Sequence, residues 1–258
     1  MNEESTGFAI GKEEYETERS AFELCRWINE KLALMRKEKS FYTIYFEKES
    51  REYANANVKS FVDEVVPVAC LGLYFFKPGS NVYVKCFAGN EPFRDAEIKV
   101  EGFNNFSIIV EVTQIASKDS KLRRVALARY GFAYASGEIR EENGEVVQKL
   151  ECVDFCEQND CLTNFAFDRM KKKLDKLRRA VKAPKESKDR IDKLRAQNTA
   201  ILVHLNVPMY GSLPLENRAE LIRRTQAYLH SEKPDVYGIY YCYADDFVVD
   251  GIRFDDLI

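Results

Sequence analysis

Two acidic residues are spaced so that they could bind a cation together. Asp95 begins an alternating run at 95–100, and Glu111 lies sixteen residues further on, inside the apolar run 106–114. A polar turn at 101–105 joins the runs, so two neighbouring strands would bring the carboxylates side by side. Adjacent carboxylates repel each other, and a divalent cation held by oxygen ligands relieves that repulsion. A Mg²⁺ ion bound in this way can activate water against a phosphodiester, which makes a metal-dependent hydrolytic site the first hypothesis.

The apolar residues before Glu111 strengthen this hypothesis. Glu111 directly follows Ile108, Ile109 and Val110, and a charge within a buried strand is costly unless it is paired or bound to a metal. The alternative is an ordinary alternating strand in which the side of the strand carrying Glu111 faces solvent.

The elements that must position these residues follow from hydrophobic periodicity and turn chemistry. The predicted elements, in chain order, are helix 13–37, strand 41–47, helix 57–73, strands 82–87, 95–101 and 106–114, a helix or linking turn at 117–128, a hairpin of strands 132–140 and 145–153, a basic helix 163–181 capped by Thr163 or Asn164, a buried strand 200–208, helix 217–229 and strand 236–244. This order predicts an α/β fold with helices on both faces of one mixed sheet.

The order of elements, together with Asp95 and Glu111, resembles the PD-(D/E)xK nuclease superfamily. The resemblance implies a restriction-endonuclease-like three-layer sandwich, with a mixed central sheet flanked by helices. Asp95 matches the aspartate that opens the family's second core strand, and Glu111 matches the acidic position on the third. Glu64, on the preceding helix, matches the glutamate that some members add to the metal site.

Two positions depart from the family pattern. Arg94 stands where the family has proline, and Thr113 stands at the lysine position. Strand alternation places Thr113 on the same face as Glu111, so a hydroxyl points where an ammonium is expected. Lys99, four residues after Asp95 and on the same face, is a second candidate for the missing charge.

The resemblance implies a metal-dependent endonuclease that hydrolyses phosphodiester bonds in nucleic acid. Asp95 and Glu111, with the carbonyl of Val112, would hold Mg²⁺ or Mn²⁺. Glu64 would assist as an acid, and Thr113 or Lys99 would position water. The alternative is a catalytically degenerate module that keeps the nuclease scaffold and binds nucleic acid or another protein. Whether the chain is an enzyme therefore stays open at this stage.

A basic segment predicts a nucleic-acid surface on a chain whose net charge is −3. Between residues 169 and 195 there are thirteen Lys or Arg and four Asp or Glu. Cations that neutralise phosphates supply most non-specific affinity for nucleic acid. The proposed contacts, all on the basic helix, are Lys171, Lys172, Arg178 and Arg179. The competing interpretation is a solvated amphipathic helix.

Composition limits the remaining possibilities. Hydrophobic residues make up 45% of the 258, enough for a core, and no apolar run is long enough to span a membrane. The acidic start does not resemble a secretory signal, which points to the cytoplasm. Seven scattered cysteines indicate free thiols, and zinc at Cys152, Cys156 and Cys161 is a lesser alternative.

We expect one domain of 1–258. Its predicted parts are an N-terminal helix and strand extension at 1–56, a nuclease-like core at 57–244 with a hairpin insertion near 132–153, and an acidic tail at 245–258. A homodimer or a protein partner is compatible with this organisation.

Overall fold

A computed structural model provides the structure of the protein. The structure describes residues 10–38, 61–88, 93–102, 105–115, 122, 126, 130, 138–149, 155–184, 186–187, 190–205, 213–243 and 248–253.

The elements of these segments, in chain order, are α1 (Lys12–Glu16), β1 (Arg19–Ser20), α2 (Ala21–Glu38), a π-helical turn (Phe61–Val65) that continues into α3 (Val66–Phe75), β2 (Asn81–Cys86), β3 (Ala96–Glu101), β4 (Phe106–Ile115), β5 (Glu138–Glu142), β6 (Glu145–Lys149), α4 (Phe155–Lys182), α5 (Lys193–Gln197), β7 (Thr199–Leu205), α6 (Leu215–Glu232), β8 (Gly238–Tyr243) and β9 (Val248–Arg253).

A seven-stranded mixed sheet organises the chain, in the order β1-β2-β3-β4-β7-β8-β9. Strands β1 to β4 pair antiparallel, β4, β7 and β8 run parallel, and β9 returns antiparallel to β8. Strands β5 and β6 form a separate hairpin. The fold is therefore α/β, as the sequence predicts.

Helices cover both faces of the sheet. Helices α2 and α3 pack on one face, with Phe61 and Leu71 in their core, and α4 and α6 pack on the other, with Met170 and Leu221 in theirs. Strand β7 is buried along its whole length because it lies between both layers. Strands β2 and β3 alternate between buried and half-buried residues, because α4 packs against β4 and β7.

Three predicted helices differ from the structure in their bounds. The predicted helix 57–73 is described from Phe61 and ends at Phe75, and Pro67 lies directly after the π-helical turn, at the start of α3. Helix α4 begins at Phe155, so the predicted cap is wrong: the Thr163 hydroxyl donates to the Asn159 carbonyl inside the helix. The single helix predicted at 13–37 is divided into α1, β1 and α2.

The segment 245–258, expected to be an acidic tail, contains β9, which extends the sheet beside β8. The N-terminal extension is also part of the sheet, because β1 pairs with β2. The predicted strand 41–47, Cys152 and the remainder of the insertion at 132–137 and 150–153 lie outside the described residues. Within the described part of the chain, no helix is long and apolar enough to cross a membrane.

Candidate functional site

Strands β3 and β4 bring Asp95 and Glu111 together. Ala96 is paired with Val110 in the antiparallel register, so Asp95, the preceding residue, lies opposite Glu111 on the same face of the sheet. Two backbone contacts hold Asp95 in place: its N–H donates to the Val110 carbonyl at 2.9 Å, and the Val112 N–H donates to Asp95 Oδ2 at 2.6 Å. The backbone of β4 thus fixes one carboxylate next to the other.

Helix α4 adds a cation to this pair. The Lys173 ammonium forms an ion pair with Glu111 Oε1, and both side chains are largely buried, at 16% and 9% exposure. Burial of two charges removes their hydration, so the pair depends on its mutual attraction and on neighbouring hydrogen bonds. Lys173 also acts electrostatically on Asp95. A single ammonium therefore serves two carboxylates.

A third carboxylate, Glu64 in the π-helical turn, approaches from the opposite layer. The Tyr15 hydroxyl, on α1, donates to Glu64 Oε2 at 3.5 Å. Glu64 lies close enough to Asp95 to disfavour ionisation of that residue. The site is thus built from α1, the π-helical turn, two strands and α4.

The pKa of Asp95 records the electrostatics of this arrangement. Burial raises this pKa from its usual 3.8 to about 8, and the negative charges of Glu111 and then Glu64 contribute to the increase. The Val112 N–H bond and Lys173 act in the opposite direction. The net effect is a large increase, because burial and the two neighbouring acids outweigh the Val112 N–H bond and Lys173.

Two buried groups near Asp95, the Cys86 thiol and the Tyr15 phenol, hold their protons strongly. Burial raises the pKa of the Cys86 thiol to about 12, and Glu64 contributes to this increase. Burial, together with Cys86, Glu64 and Asp95, also raises the pKa of the Tyr15 phenol. A thiolate is the reactive form of cysteine, so these surroundings argue against Cys86 as a nucleophile.

The structure separates the two residues considered as substitutes for the motif lysine. Thr113 is 8% exposed and follows Glu111 by two residues on β4, on the same face. Lys99 is near the far end of β3, where its ammonium pairs with Glu18 at 2.8 Å. Of these two, Thr113 alone remains beside the carboxylates.

The cations expected to contact nucleic acid are divided between two sides of α4. Lys171 lies over the rings of Phe167 and Tyr228, at 5.6 and 5.7 Å from their centroids. Arg178 pairs with Glu232 at 3.1 Å, so both cations face α6. Lys172 and Arg179 are exposed.

Lys173 is the functional candidate that sequence reasoning missed. Arg169, Lys173 and Lys176 follow each other at i, i+4 and i+7, so they form one ridge along α4. The ridge borders the buried stripe of Met170 and Leu174. The sequence does show that Lys173 lies at the border of an apolar stripe of α4. It does not show which strand that border faces, because this depends on the tertiary packing.

Oxygen donors suited to Mg²⁺ or Mn²⁺ are present at the site. Asp95, Glu111 and Glu64 carry the kind of oxygen ligands that these ions prefer. However, within the described segments no three His, Cys, Asp or Glu side chains are grouped closely enough to hold a metal as they stand. Lys173 provides the positive charge beside Glu111 in the structure. The donor chemistry therefore fits a divalent cation, although a complete ligand cage is not formed.

Comparisons with known proteins identify no relative: no family model, no curated protein and no solved structure matches this chain.

Proposed function

We propose that the protein is a metal-dependent phosphodiesterase that acts on nucleic acid and has a restriction-endonuclease-like core. The order of elements supports the proposal: α3 precedes the β2–β4 meander, and α4 then leads to β7, parallel to β4. The observation that carries the proposal is the buried group formed by Asp95, Glu111 and Lys173. It combines two carboxyl groups, at the strand positions that the resemblance implies, with one cation from α4.

In this proposal Asp95 and Glu111 hold Mg²⁺ or Mn²⁺ and Glu64 assists from the π-helical turn. When bound, the ion would lower the pKa of a water molecule and stabilise negative charge on the phosphate. The Val112 N–H keeps the Asp95 carboxylate oriented toward β4. The Val112 carbonyl remains the proposed third oxygen ligand.

Lys173 takes the part of the lysine that is absent at position 113. Its ammonium is held beside Glu111 in a largely buried setting, where charge acts more strongly on a phosphate than it does in water. Thr113 can hydrogen-bond a water molecule on the same face but adds no charge. The electrostatic contribution thus comes from α4 and the hydrogen bond from β4.

A second candidate function is a catalytically degenerate module that binds nucleic acid or protein. It is favoured by the uncharged Thr113 and by the absence, among the described residues, of three metal-binding side chains in one group. In that case the Lys173–Glu111 pair would only hold α4 against β4. The two functions predict different results when the positive charge is moved from position 173 to position 113.

Hydrolysis of labelled single-stranded and duplex oligonucleotides, with Mg²⁺ or Mn²⁺, tests the proposal. We expect cleavage by the wild type, none by Asp95→Asn, and a decrease of about 100-fold for Lys173→Ala. The control is Lys77→Ala, an exposed lysine in the turn before β2, whose removal should leave cleavage unchanged.

The decisive variant is the double substitution Lys173→Ala with Thr113→Lys, which returns an ammonium to the same face of β4. Partial recovery of cleavage supports catalysis. Cleavage that survives in Asp95→Asn would refute the site, and no cleavage by the wild type on any substrate would favour the binding module.

A further inference from the structure

Strand β2 presents one half-buried face beside the carboxylates. Tyr83 and Lys85 alternate with the core residues Val82, Val84 and Cys86, so their side chains lie on the opposite side of the sheet from α3. This is also the side on which α4 packs, but α4 contacts β4 and β7. The described residues thus form a step, with the flank of α4 beside the more open face of β2 and β3.

Phe87 links this face to the site. Its backbone N–H donates to the Asp95 carbonyl at 2.9 Å, and the pairing of Cys86 with Ala96 places it opposite Asp95. Opposite residues of an antiparallel pair share a face and have neighbouring side chains. Phe87, Asp95 and Glu111 therefore form a row across three strands, with an aromatic ring next to the carboxylates.

Two cations lie beside this ring, and others line the flank of α4. The Arg94 guanidinium lies 4.1 Å from the Phe87 ring centroid, and the Lys85 ammonium lies 5.6 Å from it. On α4 the exposed side chains of Arg169 and Lys176 continue the ridge that contains Lys173. Rings interleaved with cations suit a ligand that has both flat bases and phosphates.

We infer that β2 binds single-stranded nucleic acid, with unpaired bases stacked on Tyr83 and on Phe87 together with the Arg94 guanidinium that lies over its ring, and the phosphates directed toward Lys85 and the cations of α4. The inference rests on the proposed function, because it specifies the substrate of the same site. A base within a duplex has no free face for an aromatic side chain, whereas an unstacked base does. In addition, Glu111 is largely buried, and a flexible single strand can bring a phosphate close to a buried group more readily than a rigid duplex can.

Fluorescence anisotropy with a labelled 12-nucleotide strand and the matching duplex measures binding, in excess EDTA so that turnover does not interfere. We expect the single strand to bind at least about tenfold more tightly than the duplex. Phe87→Leu should weaken single-strand binding by about tenfold, as expected for loss of one stacked base, while Phe87→Tyr retains it. The matched control is Phe22→Leu, which removes a 55% exposed ring on α2.

The contribution of the Lys85 charge is measured from the salt dependence of binding. Lys85→Gln should reduce the slope of log affinity against log salt by about 0.7, the value for one phosphate contact on a single strand. Lys77→Gln, at an exposed lysine in the turn before β2, should leave the slope unchanged.

Equal binding of single strand and duplex would overturn the inference, as would unchanged affinity in a folded Phe87→Leu protein. If that variant does not fold, the inference is still tested by the comparison of single strand with duplex and by the salt dependence of the Lys85→Gln variant. Single-strand preference without cleavage would refute the proposed activity alone. Cleavage with no effect of Phe87 or Lys85 would refute this surface alone.

Discussion

Replacement of Asp95 by asparagine should stabilise the metal-free protein while it removes the proposed activity. Asparagine has nearly the same shape, and its Oδ1 can still accept the Val112 N–H bond that Asp95 accepts at 2.6 Å. What it removes is an acidic group that burial, Glu111 and Glu64 make difficult to ionise. The variant therefore loses the free-energy cost of keeping this carboxyl protonated in the folded chain.

The size of this effect depends on pH in a defined direction. Below about pH 4 Asp95 is protonated in the folded and the unfolded chain, so its contribution is nil. Between about 4 and 8 the folded chain keeps the proton that the unfolded chain releases, so stability decreases as pH increases. The largest possible loss of wild-type stability is about 1.4 kcal/mol per pH unit, or about 4 kcal/mol at pH 7. We expect roughly 2–4 kcal/mol, because some repulsion is relieved by local solvation.

Urea unfolding of wild type and Asp95→Asn at pH 5, 7 and 9, with chelator present, measures the difference. The advantage of the variant should increase between pH 5 and 7 and level off above 8. Asp168→Asn, at an exposed acid of α4, is the matched control and should show little pH-dependent gain. A variant that is less stable than wild type at pH 9 would refute the conclusion that Asp95 is held at an energetic cost.

Three further predictions concern the same site and the sheet. Lys173→Ala should destabilise the protein by about 3–5 kcal/mol, because a buried carboxylate loses its partner; unchanged urea unfolding would contradict the ion pair. Calorimetry with Mn²⁺ at pH 7, in two buffers of different ionisation enthalpy, should show release of about one proton, since Asp95 has a pKa of about 8; binding without release would exclude Asp95 as a ligand. Gly251→Ala should cost about 1–3 kcal/mol in urea unfolding, because the new Cβ would lie 2.1 Å from Tyr240 Cδ1; Gly11→Ala, with open space around it, is the control, and equal stability of both variants would contradict the packing of β9.

The central strands could be predicted from the sequence because their hydrophobic patterns are strong. The predicted meander strands 82–87, 95–101 and 106–114 agree with β2, β3 and β4 to within one residue at each end. Strand β9 was missed because the aspartates around it resemble a solvated tail. Its buried residues Val249 and Ile252 are three apart, and this spacing lacks the strict alternation that marks a strand.

The site could be predicted only in part, and the reason is distance along the chain. Asp95 and Glu111 are brought together by a local turn, so pattern and register were enough to place them. Lys173 reaches Glu111 from a helix that begins beyond the β5–β6 hairpin. Periodicity shows which residues of α4 face a core. Which strand the residues beside that face contact depends on the packing of the whole sheet.

The environment of Lys173 bears on whether catalysis is retained. A buried ion pair contributes little net stability, because the loss of hydration offsets the attraction, and an apolar pair would hold α4 against β4 as well or better. A purely structural role would therefore not require Glu111, and it would not require Asp95 with a pKa near 8. Groups with strongly shifted pKa values cluster at functional sites, where a ligand or a reaction uses the unbalanced charge. In the proposed function a cation would displace the Asp95 proton, and Thr113 does not weaken this argument, because the ammonium on α4 already lies beside Glu111.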